Sequence, residues 1–188
     1  MARTGEPLCL GCLRLLRRLG PEPVVLSGVR AWAPVAYAGP ARALVGALKF
    51  RGATGVADAM AAQIAANAPE GLLGAVLVPV PLHPRRLRRR GYNQAALIAA
   101  ALARRTGLEV ADCLARGGSA ATQVGRDRSA RRAGPAGSVE LRGPVPERVV
   151  LVDDVATTGA TLAACAAVAR SAGASDVTAL VFARTIGR

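Results

Sequence analysis

The chain has 188 residues, a net charge of +13 and 52% apolar residues, of which few are aromatic (3% of the chain). That length and apolar content suit one folded domain and exclude a disordered chain. Four cysteines do not make a secreted disulfide framework, and no uninterrupted apolar run has membrane-spanning length.

The charge comes almost wholly from arginine, with Lys49 as the single lysine. Part of that excess fits a G+C-rich coding bias. A chain this basic still points to an anionic partner, either phosphate ligands or nucleic acid. The first residues lack a charged segment followed by an apolar one, so no signal peptide, no membrane insertion and a cytoplasmic location are expected.

Residues 1–34 read as a small N-terminal appendage and residues 35–188 as the main domain. Cys9 and Cys12 have the spacing of half a zinc site. A closed structural zinc needs four ligands, and no Cys or His lies between Gly20 and Pro34. The pair therefore reads as a degenerate zinc-ribbon remnant, and zinc is not expected. Leu13 to Leu19 has the pattern of a short basic amphipathic helix, stopped at Gly20-Pro21.

From Val35 the chain becomes regular. Val35 to Ala38 is a short strand, Pro40 to Phe50 a helix with Pro at its start, and Gly55 to Ala66 a second, Ala-rich helix. Ala75 to Val80 (AVLVPV) reads as a buried strand. Prolines 79, 81 and 84 then predict a rigid turn leading into a basic loop, Arg85 to Arg90. After Tyr92 an Ala/Leu helix runs to about Arg105, and Glu109 to Ala115 is a candidate strand. Residues 116–138 are polar and rich in Gly and Arg, the composition of a lid or binding loop. Val139 to Leu141 is a short strand candidate. Val149 to Val152 reads as a fully buried strand, Ala160 to Ala172 as a helix and Asp176 to Ala183 as a last strand. Alternating strands and helices with near-continuous apolar strands predict an α/β fold: a mostly parallel sheet with helices on both faces.

Val149 to Thr161 (VVLVDDVATTGAT) carries the chemistry. A buried strand ends in two carboxylates, Asp153 and Asp154, and a small hydroxyl-rich turn opens a helix. A helix N-terminus offers free N–H groups and the positive end of its dipole to an anion. Glycine lets the backbone approach that anion closely. The carboxylates suit sugar hydroxyls or the shell of a divalent metal.

This stretch resembles the PRPP-binding motif of type I phosphoribosyltransferases over all 13 residues. Tyr37 to Gly52 (YAGPARALVGALKFRG), Val78 to Ala95 (VPVPLHPRRLRRRGYNQA) and a Gln123, Arg126, Arg128, Arg131 lid extend the resemblance to the ComF family, which includes GntX-like proteins. The resemblance covers about residues 35–184. It implies a type I phosphoribosyltransferase-like domain that binds PRPP with Mg²⁺ and is linked to DNA uptake in natural competence. The alternatives it leaves open are an active phosphoribosyltransferase in nucleotide salvage, its acceptor unnamed, and a non-catalytic single-stranded DNA-binding module beside a helicase-like competence protein.

On that resemblance, Ala156, Thr157, Thr158, Gly159, Ala160 and Thr161 would hold the 5-phosphate of PRPP or another ribose phosphate. Asp153 and Asp154 would face the ribose hydroxyls, directly or through Mg²⁺. Pro81, Leu82, His83, Arg85 and Arg86 would meet the pyrophosphate, and Gln123, Arg126 and Arg128 would close over it. Arg88, Arg89 and Arg90 are left for nucleic-acid backbone, with Tyr92, Trp32 and Phe50 as the available stacking rings. His83, the sole histidine, reads either as an acid/base or phosphate contact or as a loop surface residue; the second is preferred. Purine-salvage members of the superfamily carry an Asp where Thr157 stands. Its absence here leaves the general base, and so the catalytic residues, unassigned. The family also carries two Cys pairs and an Asn after the lid arginines; this chain has one pair, and Arg132-Ala133-Gly134 stands in the second region.

Overall fold

The structure is a computed structural model and describes residue 8, residues 10–117 and residues 139–186. Six helices and eight strands form within these residues: α1 (Leu10–Arg14), β1 (Val24–Leu26), β2 (Val29–Trp32), β3 (Val35–Ala36), α2 (Gly39–Phe50), α3 (Val56–Asn67), β4 (Val76–Pro79), α4 (Pro84–Arg90), α5 (Gln94–Thr106), β5 (Leu114–Arg116), β6 (Val139–Leu141), β7 (Arg148–Ala156), α6 (Ala160–Ser171) and β8 (Asp176–Arg184). The main sheet runs β1-β2-β8-β7-β4, with β3 also on β8; β5 and β6 form a separate pair. Within the main sheet β2, β3, β7 and β4 all pair in parallel, and only β1 is antiparallel to its neighbour.

The expected α/β fold with helices on both faces is the fold observed. Successive strand side chains point to opposite faces, so a strand buried on both sides must be apolar at every position. In β7, Val150 and Val152 join one core with α2, α3 and α5, while Val149 and Leu151 join a second core with α6. The strand continues beyond Val152, through both acids, to Ala156.

Several local expectations change. Residues 24–32 form two strands of the main sheet, β2 lying in parallel register on β8. Two short runs, Val24 to Leu26 and Val29 to Trp32, flank Ser27-Gly28 and carry this hairpin. Both turn residues have positive φ (47° and 80°), the requirement of a two-residue type I′ turn. The helix expected at Leu13 to Leu19 is instead Leu10–Arg14, because Arg18 bridges Val35 in extended backbone. The loop expected at Arg85 to Arg90 is the helix α4. Pro84 starts it, the His83 ring accepts a hydrogen bond from Arg85 N at 3.2 Å, and Gly91 ends it in the left-handed conformation. The strand expected at Glu109 to Ala115 reduces to a one-residue parallel bridge between Val110 and Leu77, with β5 beginning only at Leu114.

That bridge matters for the site. From β4 the chain passes over one face by α5 and comes down at Val110, on β4's outer side. From β7 it passes over the other face by α6 to β8. The connections diverge between β4 and β7. Ligands of open α/β sheets bind at such a switch point, in the crevice beyond the carboxyl ends of the strands.

Candidate functional site

A cleft of about 860 Å³ opens at this point. β7 brings Asp153, Asp154 and Val155 to it, the turn after β7 brings Thr157, and α6 brings Thr161. The β4–α4 connection brings Pro81, Leu82 and His83, and α4 brings Arg85, Arg86, Arg89 and Arg90. Ala156 is buried beneath it. Arg88 does not line it. On a helix, residues three and four apart share a face, so Arg85, Arg86, Arg89 and Arg90 form one basic wall and Arg88 stands off it. The helix thus groups the arginines differently from their order in the sequence. Gln123, Arg126, Arg128 and Cys9 lie outside the described residues.

The turn after β7 is held from behind. Ser27 Oγ donates to the Thr158 carbonyl at 2.8 Å, and Thr185 Oγ1 donates to the Thr157 carbonyl at 3.4 Å. No described peptide bond is cis. In a trans peptide the carbonyl and the following N–H point in opposite directions. Tying both carbonyls back to β1–β2 and β8 therefore turns the Thr158 and Gly159 N–H groups away from those strands. Gly159 has φ +85°, and a Cβ there would lie 2.6 Å from Leu26 Cβ. Only glycine fits, for conformation and for space together. Thr158 Oγ1 accepts from Ala160 N at 3.3 Å, capping the first turn of α6.

The carboxylates differ in surroundings. Asp154 is buried, and its Oδ1 is 2.9 Å from Lys49 Nζ, at the end of α2. Its Oδ2 is buried without a partner among the described residues. Asp153 accepts a hydrogen bond from Asp154 N at 2.8 Å. Burial, and then the charge of Asp154, push the Asp153 carboxyl up to about 8, against the pull of that hydrogen bond, Lys49 and Arg116. The pair thus has room for a proton or a bound cation near neutrality. Behind it, burial pushes the Cys165 thiol up to about 12, with Asp153 adding to the effect, which leaves an inert core thiol.

Lys49, Arg116, Asn93 and Gln94 are among the lining residues that the sequence did not assign to the cleft. Arg116 donates to Thr161 Oγ1 at 3.2 Å. Asn93 caps α5 by accepting from Ala95 N and donates to the Val80 carbonyl at 3.0 Å, which fixes the β4–α4 connection to α5. Gln94 is buried, with its Nε2 unpartnered among the described residues. Asn93 and Gln94 follow the basic run directly, and a cap residue at the head of an apolar helix was a usable signal. Trp32 is buried and donates to the Gly20 carbonyl, so it offers no stacking face.

Among the described residues no group of three His, Cys, Asp or Glu could hold a metal ion, and no helix is long and apolar enough to cross a membrane.

No family model matches the chain. Among solved structures it is similar to the allosteric regulatory enzyme of purine biosynthesis (26% identity, TM-score 0.43, 66% of this chain and 24% of that one). It is also similar to orotate phosphoribosyltransferase from Aeropyrum pernix (26% identity, TM-score 0.41, 84% and 70%). The chain thus spans about a quarter of the first. Among curated proteins it is 33% identical over 158 residues to the DNA utilization protein YhgH of Escherichia coli O157:H7, covering 80% of this chain and 70% of that one. The Shigella flexneri protein of the same name is 32% identical over the same coverage. With 33% identity over most of both chains, and the ordered motifs around Lys49, Arg85 and Asp153 on a mostly parallel α/β fold, the chain belongs to the family of DNA utilization protein YhgH, which is ComF/GntX-like.

Proposed function

We propose that this ComF-like protein binds PRPP, together with Mg²⁺, in the cleft between β4 and β7, and that it does so in the service of DNA uptake. One observation carries the reading: the acid pair lies near the carboxyl end of β7 at the switch point, between a clamped small-residue turn on one side and a wall of arginines on the other. The turn and the first turn of α6 suit a 5-phosphate. Asp153 and Asp154 suit the ribose hydroxyls. Arg85 and Arg86 suit a pyrophosphate, whose charge they would neutralise. The unpartnered Asp154 Oδ2 and the elevated Asp153 fit a Mg²⁺ shell completed by ligand oxygens or water. The only carboxylates lining the cleft among the described residues are this pair, and Thr157 stands where a base would be useful. The reading therefore rests on binding, with transfer confined to an acceptor that needs no carboxylate base. The link to DNA uptake is supported by the relatives' name and the basic charge.

Calorimetry of the full chain with PRPP and Mg²⁺ tests it. Binding is expected for the wild type and loss of binding for the Asp153→Asn, Asp154→Asn double variant. Equal binding by both, or none by the wild type, overturns the assignment.

A further inference from the structure

Aromatic residues are scarce in this chain, and two of the five, Trp32 and Phe182, are buried. Phe182 is fully buried and Trp32 is 2% exposed, but Phe50 is 72% exposed. Phe50 ends α2, directly after Lys49. The Arg90 guanidinium carbon stands 5.7 Å from its ring centroid, within cation–π range, and steadies the ring from one side. A second recess of about 450 Å³ opens here, lined by Lys49, Phe50, Gly52, Arg89, Arg90 and Tyr92.

Three cations and two rings line this recess, with no acid among them. Lys49 is engaged by Asp154, while Arg89 and Arg90 form no ion pair with any described carboxylate. The Tyr92 hydroxyl donates to the Leu48 carbonyl, which ties the end of α4 to the end of α2. The recess is therefore built from two anchored helix ends. Gly52 adds no side chain to fill it. A solvated basic face requires no displayed ring, and a stray surface phenylalanine requires no ring of cations. Together they match a ligand with a flat apolar face and an anionic group beside it. Its volume lies in the range of small-ligand pockets, roughly 300–1,000 Å³. Four of its six lining residues also line the main cleft, so its occupant would lie against whatever the cleft holds.

We infer that this recess binds a nucleotide unit, the base stacked on Phe50 and the phosphate held by Arg89 and Arg90. A free nucleoside monophosphate and one residue of single-stranded DNA share that chemistry. This binding does not depend on PRPP occupying the main cleft.

The test is calorimetry of the full chain at low salt with three probes: dTMP, an oligo(dT) lacking a 5′-phosphate, and inorganic phosphate. One of the nucleotide probes should bind more tightly than phosphate. Phe50→Ala should weaken it at least about fivefold, in line with the loss of one base–aromatic stack. Phe50→Trp should restore it, and Arg89→Ala with Arg90→Ala should remove it. Arg105→Ala with Arg170→Ala, an equal loss of charge in the last turns of α5 and α6, should leave it unchanged. Binding of oligo(dT) alone assigns the recess to a strand, and binding of dTMP assigns it to the free nucleotide as well. The Asp153→Asn, Asp154→Asn variant separates this site from the PRPP cleft: nucleotide binding should survive there even as PRPP binding is lost. Equal binding of phosphate and nucleotide, indifference to Phe50→Ala, or loss of nucleotide binding in the acid-pair variant would each overturn the inference.

Discussion

Lys49 Nζ lies 2.9 Å from Asp154 Oδ1, so the only lysine in the chain neutralises the more deeply buried of the two site carboxylates. The Asp154 side chain is 5% exposed and that of Lys49 26%. Removing one partner of a buried pair leaves an uncompensated charge, at a cost of several kcal/mol. Lys49→Met is expected to lower stability by about 2–4 kcal/mol in urea unfolding. Adding Asp154→Asn should return part of that loss. Additive effects of the two substitutions would show that the pair is not coupled.

Gly159 supports a second expectation. Alanine there meets an unfavourable φ and a neighbour at 2.6 Å, so Gly159→Ala should cost about 2–4 kcal/mol. Leu26→Ala should not rescue it, because alanine keeps the Cβ at 2.6 Å, and the Leu26 carbonyl carbon and oxygen lie 2.9 and 3.0 Å from the same position. A Gly159→Ala variant melting with the wild type would refute the close approach.

The hydroxyl clamps act on the turn more than on the fold. Ser27→Ala and Thr185→Val each delete one hydrogen bond, worth about 0.5–1.5 kcal/mol. If those bonds orient the Thr158 and Gly159 N–H groups toward a phosphate, the double variant should bind PRPP several-fold to about a hundredfold more weakly, with a small change in melting temperature. Ser27→Thr, which keeps a hydroxyl, should bind better than Ser27→Ala. Unchanged PRPP affinity in the double variant would show that the clamps do not orient the turn.

Asp153 gives a pH dependence whose sign is fixed. Its folded-state pKa is raised above the ordinary carboxylate value, to about 8. The native state therefore holds this proton more tightly than the unfolded chain. The stability it contributes is full below about pH 4 and is lost as pH rises toward 8. Wild-type melting temperature should fall more steeply than that of Asp153→Asn across this window. PRPP–Mg²⁺ affinity should move the other way and rise with pH as the carboxylate ionises. Parallel melting profiles for wild type and variant would remove Asp153 as the titrating group.

The parts legible in the sequence were those whose cause is local. Four apolar residues before Asp153 announce a strand buried on both faces, and a small turn before an Ala-rich run announces the start of a helix. The α4 helix was not legible because a seven-residue segment with five arginines and no buried residue has no apolar period to detect. Lys49 was not legible as a site residue for a different reason. A lysine in the last turn of a helix reads as complementing its dipole, and only tertiary packing brings the end of α2 to the acids of β7. The β1–β2 hairpin could have been found from its two-residue turn. Its place on β8 could not, since nothing near residue 30 in the sequence indicates residue 178.

The hairpin's place on β8 bears on how the chain is made. Ser27 and Thr158 are 131 residues apart, and the hairpin seats on the last strand of the sheet. During synthesis from the N-terminus, β1 and β2 emerge long before their template exists. They must wait while β4, β7 and β8 are completed, and such long-range closure slows folding. The turn after β7 thus acquires its backing only after β8 has left the ribosome. A ribosome-stalled chain ending before residue 176 should leave Ser27 and Leu26 open to proteolysis, while release of the full chain should protect them.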